Sequence, residues 1–304
     1  MTEVPSEHRI LVGVIYSVSS LAALPLYVYI TWLLLSQPKY RRLICYVVIA
    51  QIGLLECALL VGEVVLGLVV ACDLREWKNL NYTVSAFTNT GWNGLFPTIL
   101  VLAVNRLDVI CALKVFTKRI FDYALLALCW LYALLFLILC LTPMARIHLS
   151  FTYLMLDYDL ETAPFSAPLQ RLEYVSSFIF LGLTLAVYGA IVLLLMRKRR
   201  SLTADHQLVA PMELRLMLQG SLTFCCSAVI VLLWHMAPYF NARYYWFTSS
   251  VNLMIIVNCG YLNPLLLLLM NREVRGDVLR PFRSSKVLFT LKTAGFVESP
   301  GASL

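Results

Sequence analysis

The sequence predicts an all-α membrane protein: a bundle of seven transmembrane helices, N-terminus outside, followed by a short amphipathic eighth helix. Three observations lead there. Of 304 residues, 61% are hydrophobic and only 13% charged, whereas charged residues make up about a quarter of a typical soluble domain. Seven apolar runs reach the roughly 20 residues that span hydrocarbon as a helix, at about 10–35, 44–71, 86–110, 122–142, 172–196, 214–237 and 246–270. Basic residues gather in alternate connections, which sets orientation.

The first run is too long for a signal-peptide core, and no small-residue cleavage pattern follows it. Residues 1–9 are therefore expected outside, 10–270 as the membrane domain, and 271–304 as a cytoplasmic amphipathic helix and tail. Lys39, Arg41 and Arg42 mark the first connection as cytoplasmic. Lys114, Lys118 and Arg119, beside Arg106, mark the third, Arg197, Lys198, Arg199, Arg200 and Arg215 the fifth, and Arg272, Arg275, Arg280, Arg283, Lys286 and Lys292 the tail. Only six of the 24 Lys and Arg residues remain for the N-terminus and the other connections. The net charge of +7 therefore belongs to a membrane orientation pattern and excludes a nucleic-acid footprint.

The second connection carries Asn81-Tyr82-Thr83, an N-glycosylation sequon on the expected outer side. The fourth, 143–171, is the longest outer loop and is mildly acidic. Nine cysteines are present, most of them inside apolar runs, where they act as small buried residues. Cys72 and Cys140 lie near outer ends, where a disulfide is one alternative and free thiols the other. No Cys or His spacing suggests a metal site, and no cofactor-binding pattern is present. Glycine-rich phosphate loops and nucleophile–base pairs are absent too, so an enzyme is not expected.

Polar residues inside the spans carry most of the remaining information, because a charge at the bilayer centre costs about 2.5–3.5 kcal/mol on insertion scales. Glu56 lies mid-span in the second run, and Glu63 lies two helical turns further out on the same face. They suggest a polar pocket shared with Asn258 or Asn263 of the last span; a carboxyl bonded to nearby backbone is the bland alternative. Asn105-Arg106 closes the third run at its inner end. In the seventh, Asn263-Pro264 interrupts a leucine run, and Pro238 follows the sixth. A proline removes a helical hydrogen bond and gives the bundle a place to bend.

Together these features resemble rhodopsin-like G-protein-coupled receptors: N-out orientation, Asn105-Arg106 ending span three, Trp130 in span four and Asn263-Pro264 in span seven. Asn271, eight residues after Asn263, and Arg275, twelve after, are similar to the passage from Asn-Pro into that family's eighth helix. More narrowly, Cys45-Tyr46 with Leu-Leu-Glu at 54–56 and the Asn-Arg pair resembles nematode serpentine chemoreceptors, class T in particular. The resemblance implies a small-molecule ligand, a heterotrimeric G protein as partner, and a plasma-membrane location such as a sensory cilium. Glu56, Asn105, Arg106, Pro238, Asn258, Asn263 and Pro264 would then form the switch. Asn271, Arg272 and Arg275 would form the eighth-helix surface.

Some positions depart from the family pattern. Asn105 stands where an acidic residue usually precedes the arginine, Leu267 where Tyr usually ends the Asn-Pro motif, and Leu95 where a hydroxyl usually serves a sodium site. By depth, Glu63, Trp92, Phe178, Trp234 and His235 are the candidate ligand-lining residues. A membrane transporter, or a receptor-like trafficking protein that does not couple, remains as an alternative from another class.

Overall fold

The computed structural model describes residues 4–111, 119–201, 211–236 and 245–280. Its helices are α1 (Ser6–Ser36), α2 (Pro38–Arg41), α3 (Ile44–Ala71), α4 (Lys78–Cys111), α5 (Arg119–Leu141), α6 (Ser166–Ser201), α7 (Pro211–Met236) and α8 (Tyr245–Val257). A π-helical turn (Asn258–Leu262) joins α8 to α9 (Asn263–Met270), and residues 272–280 form α10. Seven helical units are long and apolar enough to cross a bilayer, with α8, the π turn and α9 counting as one. Helix is the form expected of such runs, because hydrocarbon offers no partner to an unpaired backbone group. Pro238 lies outside the described residues, as do Lys114, Lys118 and everything beyond 280.

α4 is the central span and packs against α3, α5, α6 and α7. The outer faces of α5 and α6 carry Leu131 and Leu185, both 62% exposed, as lipid-facing leucines should be. α1 and α3 approach so closely at Gly13 and Gly67 that a Cβ on Gly13 would lie 2.5 Å from the Gly67 carbonyl oxygen. Small residues permit this backbone contact in membranes, where packing drives helix association. Ser17 reinforces the crossing by donating to the Val64 carbonyl at 2.9 Å.

The 143–171 connection, expected to be a loop, holds a hairpin of β1 (Ile147–Ser150) and β2 (Met155–Tyr158). Ile147 pairs with Tyr158 and Ser150 with Met155. Leu154 turns the hairpin at φ 52°, an unfavourable value for a branched residue. That residue is held from both sides: its N–H donates to the Ser150 carbonyl at 2.8 Å, and its own carbonyl accepts from the Tyr16 hydroxyl at 3.0 Å.

The hairpin also explains why α4 begins at Lys78, well before the expected 86. The extra turns are polar because they bind β1. Asn81 Nδ2 donates to the Leu149 carbonyl at 3.1 Å, and its Oδ1 accepts from the Leu149 N–H at 2.9 Å. Ser85 donates to the same Oδ1 at 3.1 Å. Asn81 is also the asparagine of the sequon. Asn81 is 7% exposed, and its amide nitrogen, the atom a glycan would occupy, faces a strand.

Candidate functional site

Beneath the hairpin, between α4, α6, α7 and α8, lies a cavity of about 340 Å³. Its walls include Tyr153, Tyr158, Glu173, Tyr174, Trp234 and His235. Three elements fix the roof. The Tyr158 hydroxyl donates to Glu173 on α6, Asn89 on α4 donates to the Tyr158 oxygen at 3.1 Å, and Thr248 on α8 donates to the Tyr153 carbonyl. On β1, His148 lies opposite Asp157. Burial pulls its imidazole below the ordinary range, against the opposing charges of Asp157 and Asp159, so the roof keeps its acidic character near neutral pH.

A second cavity, about 20 Å³, adjoins the first and shares Asn89, Leu156 and Trp234 with it. Its lining also includes Glu63, Trp92 and Asn252. Asn252 of α8 donates to Glu63 of α3 at 2.9 Å, tying the pocket floor to the last span.

Deeper in the bundle, Glu56 on α3 accepts hydrogen bonds from the Tyr27 hydroxyl on α1 and from Asn263 Nδ2 on α9. Thr223 on α7 donates to Asn263 Oδ1 at 2.5 Å, so one carboxyl connects four helices. All four side chains are buried, which is how hydrocarbon tolerates them. The π turn lies directly above: the Asn263 N–H reaches back five residues to the Asn258 carbonyl, and Asn258 Nδ2 donates to Ser227 on α7 at 3.1 Å. Wide turns of this kind leave a helix able to change register. Pro264 starts α9, where its missing N–H does least harm.

Arg106 on α4 is 2% exposed. Between it and Asn263 lies a cavity of about 30 Å³, whose lining includes Tyr27, Thr31, Gln219 and Thr223. Nearby, Asn271 ends α9 and caps α10: its Oδ1 accepts from the Glu273 and Val274 N–H groups, each at 3.1 Å. Its Nδ2 reaches the Tyr46 hydroxyl of α3 at 2.5 Å. Arg275 Nη1 approaches the last carbonyls of α9, Leu268 and Leu269, at 3.4 and 3.3 Å. From α2 and its start, Lys39 pairs with Glu273 at 3.1 Å and with Asp277, and Tyr40 donates to Asp277 at 2.7 Å.

A family model described as serpentine type 7TM GPCR chemoreceptor Srv matches residues 77–284. The chain belongs to the Srv family of serpentine G-protein-coupled chemoreceptors. No curated protein matches the chain. Among solved structures, the crystal structure of squid rhodopsin is similar in fold, with TM-score 0.72 over 94% of this chain and 88% of that one, at 12% identity. The broad sequence reading therefore stands, while its narrower resemblance to class T gives way to Srv. Of the residues behind that resemblance, Cys45, Tyr46 and the 54–56 triplet lie before the matched region, and only Asn105-Arg106 lies within it.

In this Srv receptor the candidate ligand residues divide. Trp234 and His235 line the larger cavity, and Glu63, Trp92 and Trp234 line the smaller. Phe178 stands behind His235, ring centroids 5.8 Å apart, as a packing partner. Glu173, Asn89, Asn252 and Tyr158 were missed. Glu173 sits at the edge of an apolar run, where a carboxylate reads as a helix end, and the other three need the hairpin to acquire meaning. Trp130 donates to Gln51 of α3 at 3.0 Å, a structural tie. Asn105 is buried beside Arg106. Cys72 and Cys140 are free thiols. Of the three eighth-helix residues only Arg272 is exposed; Asn271 is buried and Arg275 half-buried, because both are engaged in joining α9 to α10.

The α2–α10 contact should be pH-sensitive at the acid end. Burial acts to raise the Asp277 pKa, but the hydrogen bonds from Lys39 and Tyr40 and nearby positive charge outweigh it and hold it below the usual range. A depressed carboxyl contributes stability above its unfolded value, about 3.9, which is lost as pH falls through the folded value. Asp277→Asn is expected to remove that contribution at neutral pH, increasing amide exchange across 272–280 while leaving α4 amides unchanged. Equal exchange in variant and parent would show the contact to be inert.

Proposed function

We propose that the chain is a plasma-membrane chemoreceptor with its N-terminus outside, whose small-molecule ligand occupies the cavity beneath the hairpin. Ligand binding favours one of two bundle packings, and a heterotrimeric G protein meets the opposite, cytoplasmic face. A ligand shifts such an equilibrium only by its differential affinity for the two packings, so the pocket must touch parts that move. The observation that carries this reading is that the last span holds buried polar contacts at both the pocket level and the far end. Asn252 donates to Glu63 at the pocket floor, and past an apolar stretch of α8 and the π turn the same span bonds Glu56 through Asn263, beside the Arg106 cavity.

In this reading the structure has the resting packing, with Arg106 buried behind α7 and α9. Moving α9 would unlock both Asn263 and Asn271, and Arg106 would then reach the partner surface together with Arg197 and the face carrying Arg272. Alternating basic and apolar residues suit α10 to anionic headgroups. Val274 and Val278 are buried against the bundle while Arg272 and Arg280 are exposed.

The test is expression of the full chain with a panel of volatile and water-soluble small molecules, read by second-messenger output, beside Arg106→Ala at matched surface level. Ligand-evoked output is expected from the parent and at least about ten-fold less from the variant, equivalent to ~1.4 kcal/mol of coupling. An undiminished response would remove Arg106 from the mechanism. Solute flux into vesicles without signalling would overturn the receptor reading.

A further inference from the structure

We propose that the cavity beneath the hairpin takes an organic cation, a primary amine bearing an aromatic or branched apolar body, with its ammonium group against the Glu173 carboxyl. The inference rests on the reading of this cavity as the ligand site and specifies the ligand's chemistry.

Glu173 is 4% exposed, and what remains open to it is the cavity it lines. Tyr158 donates to it, and Asn89 donates in turn to the Tyr158 oxygen at 3.1 Å. Neutral donors of this kind orient a carboxylate without cancelling its charge. Among the described residues no Lys, Arg or His forms an ion pair with it. Arg171, two positions away on α6, is exposed at the cavity rim, and residues so spaced do not face each other on a helix. A buried carboxylate without a counter-charge is costly, and an incoming ammonium group would supply that charge.

The walls point to the same ligand. Tyr153, Tyr158, Tyr174 and Trp234 line one volume, and aromatic rings attract a desolvated cation. Asp157 lines the volume as well, so its carboxylates outnumber its one guanidinium. An ammonium also carries three donors, which must all be met once water is excluded. Glu173 and Asp157 offer carboxylate acceptors on the same volume. A neutral alcohol of equal shape gains the packing but leaves the carboxyl uncompensated, and an anion meets repulsion from two sides.

The test uses the full chain purified into lipid nanodiscs, with Trp fluorescence quenching and thermal unfolding as readouts. The probes are pairs of equal shape: butylamine and butanol, cyclohexylmethylamine and cyclohexylmethanol, 2-phenylethylamine and 2-phenylethanol. At least one amine is expected to bind ten-fold or more tightly than its alcohol. Glu173→Gln keeps the hydrogen bonds but not the charge, and should abolish that preference by weakening the amine alone. Equal binding of amine and alcohol throughout, preference for the alcohols, no binding by any amine, or an amine preference that survives Glu173→Gln would each overturn the inference. If Glu173→Gln fails to fold, Tyr158→Phe is substituted; it leaves the charge with fewer donors, so the amine preference is expected to persist, and its loss would count against the carboxyl as anchor. Amine binding without G-protein activation would sink the receptor reading and leave this one standing. G-protein activation by neutral ligands alone would do the reverse.

Discussion

Glu56→Ala is expected to lower the stability of the purified chain by about 2 kcal/mol and to raise its ligand-independent signalling. The substitution removes the acceptor shared by Tyr27 and Asn263. It orphans a buried hydroxyl and a buried amide, each of which costs about 1–3 kcal/mol in a soluble core. Interhelical hydrogen bonds in membranes are individually weaker, averaging ~0.6 kcal/mol, because the separated helices also find partners. The lower figure for two bonds plus residual desolvation gives the value stated. If the network holds the resting packing, losing ~1.4 kcal/mol of it raises the active population about ten-fold. Glu56→Gln keeps an acceptor and should fall between the two. A double-mutant cycle with Asn263→Ala isolates the pair's own coupling. Glu56→Ala with parental melting and parental basal output would show the four-helix junction to be passive packing.

Asn81→Ala, on α4, should weaken the hairpin more than any single truncation within the 143–171 connection itself. Its amide is the two-way partner of the Leu149 backbone, and Leu149 is 1% exposed. Neither the N–H nor the carbonyl left behind has water available, so the expected cost is about 2–4 kcal/mol for the two groups together. Because the hairpin roofs the cavity, ligand affinity should fall with it. Asn81→Asp separates the two bonds: it still accepts from the Leu149 N–H but sets a carboxylate against the Leu149 carbonyl. It should be no better than alanine. Amide exchange at Leu149 and Leu156 reads the effect, and unchanged protection in Asn81→Ala would refute it. The same geometry predicts that glycosidase treatment leaves the mobility of the parent chain unchanged.

The spans were legible in the sequence because a bilayer imposes a length and a polarity that few other environments do. The Glu56–Asn263 contact was legible for a related reason, since each buried polar group inside a span requires another. What escaped was polarity near the span ends. Asn81, Asn89 and Glu173 lie within two turns of the hairpin, where a polar residue has the innocent reading of reaching water. Only the strand pairing of Ile147–Ser150 with Met155–Tyr158 turns these side chains inward. No hydrophobic period announces that pairing, for the segment is short and its inward residues answer to helix ends rather than to a sheet. Asn271 was likewise read as surface, although an Asn just before a new helix is also a natural cap; the Tyr46 contact decides it.

The π turn at Asn258–Leu262 means that the last span carries one residue more than its height requires. Closing it into α-helical form would turn everything beyond by about 100°, the angle of a single residue. Asn263 and Asn271 sit eight positions apart on that rotating piece, and both grip α3, through Glu56 and Tyr46. They would therefore let go together. A slack residue near the pocket floor is thus geared to two clasps further along, and the bundle can respond at its far end without any span sliding along its axis by a full turn.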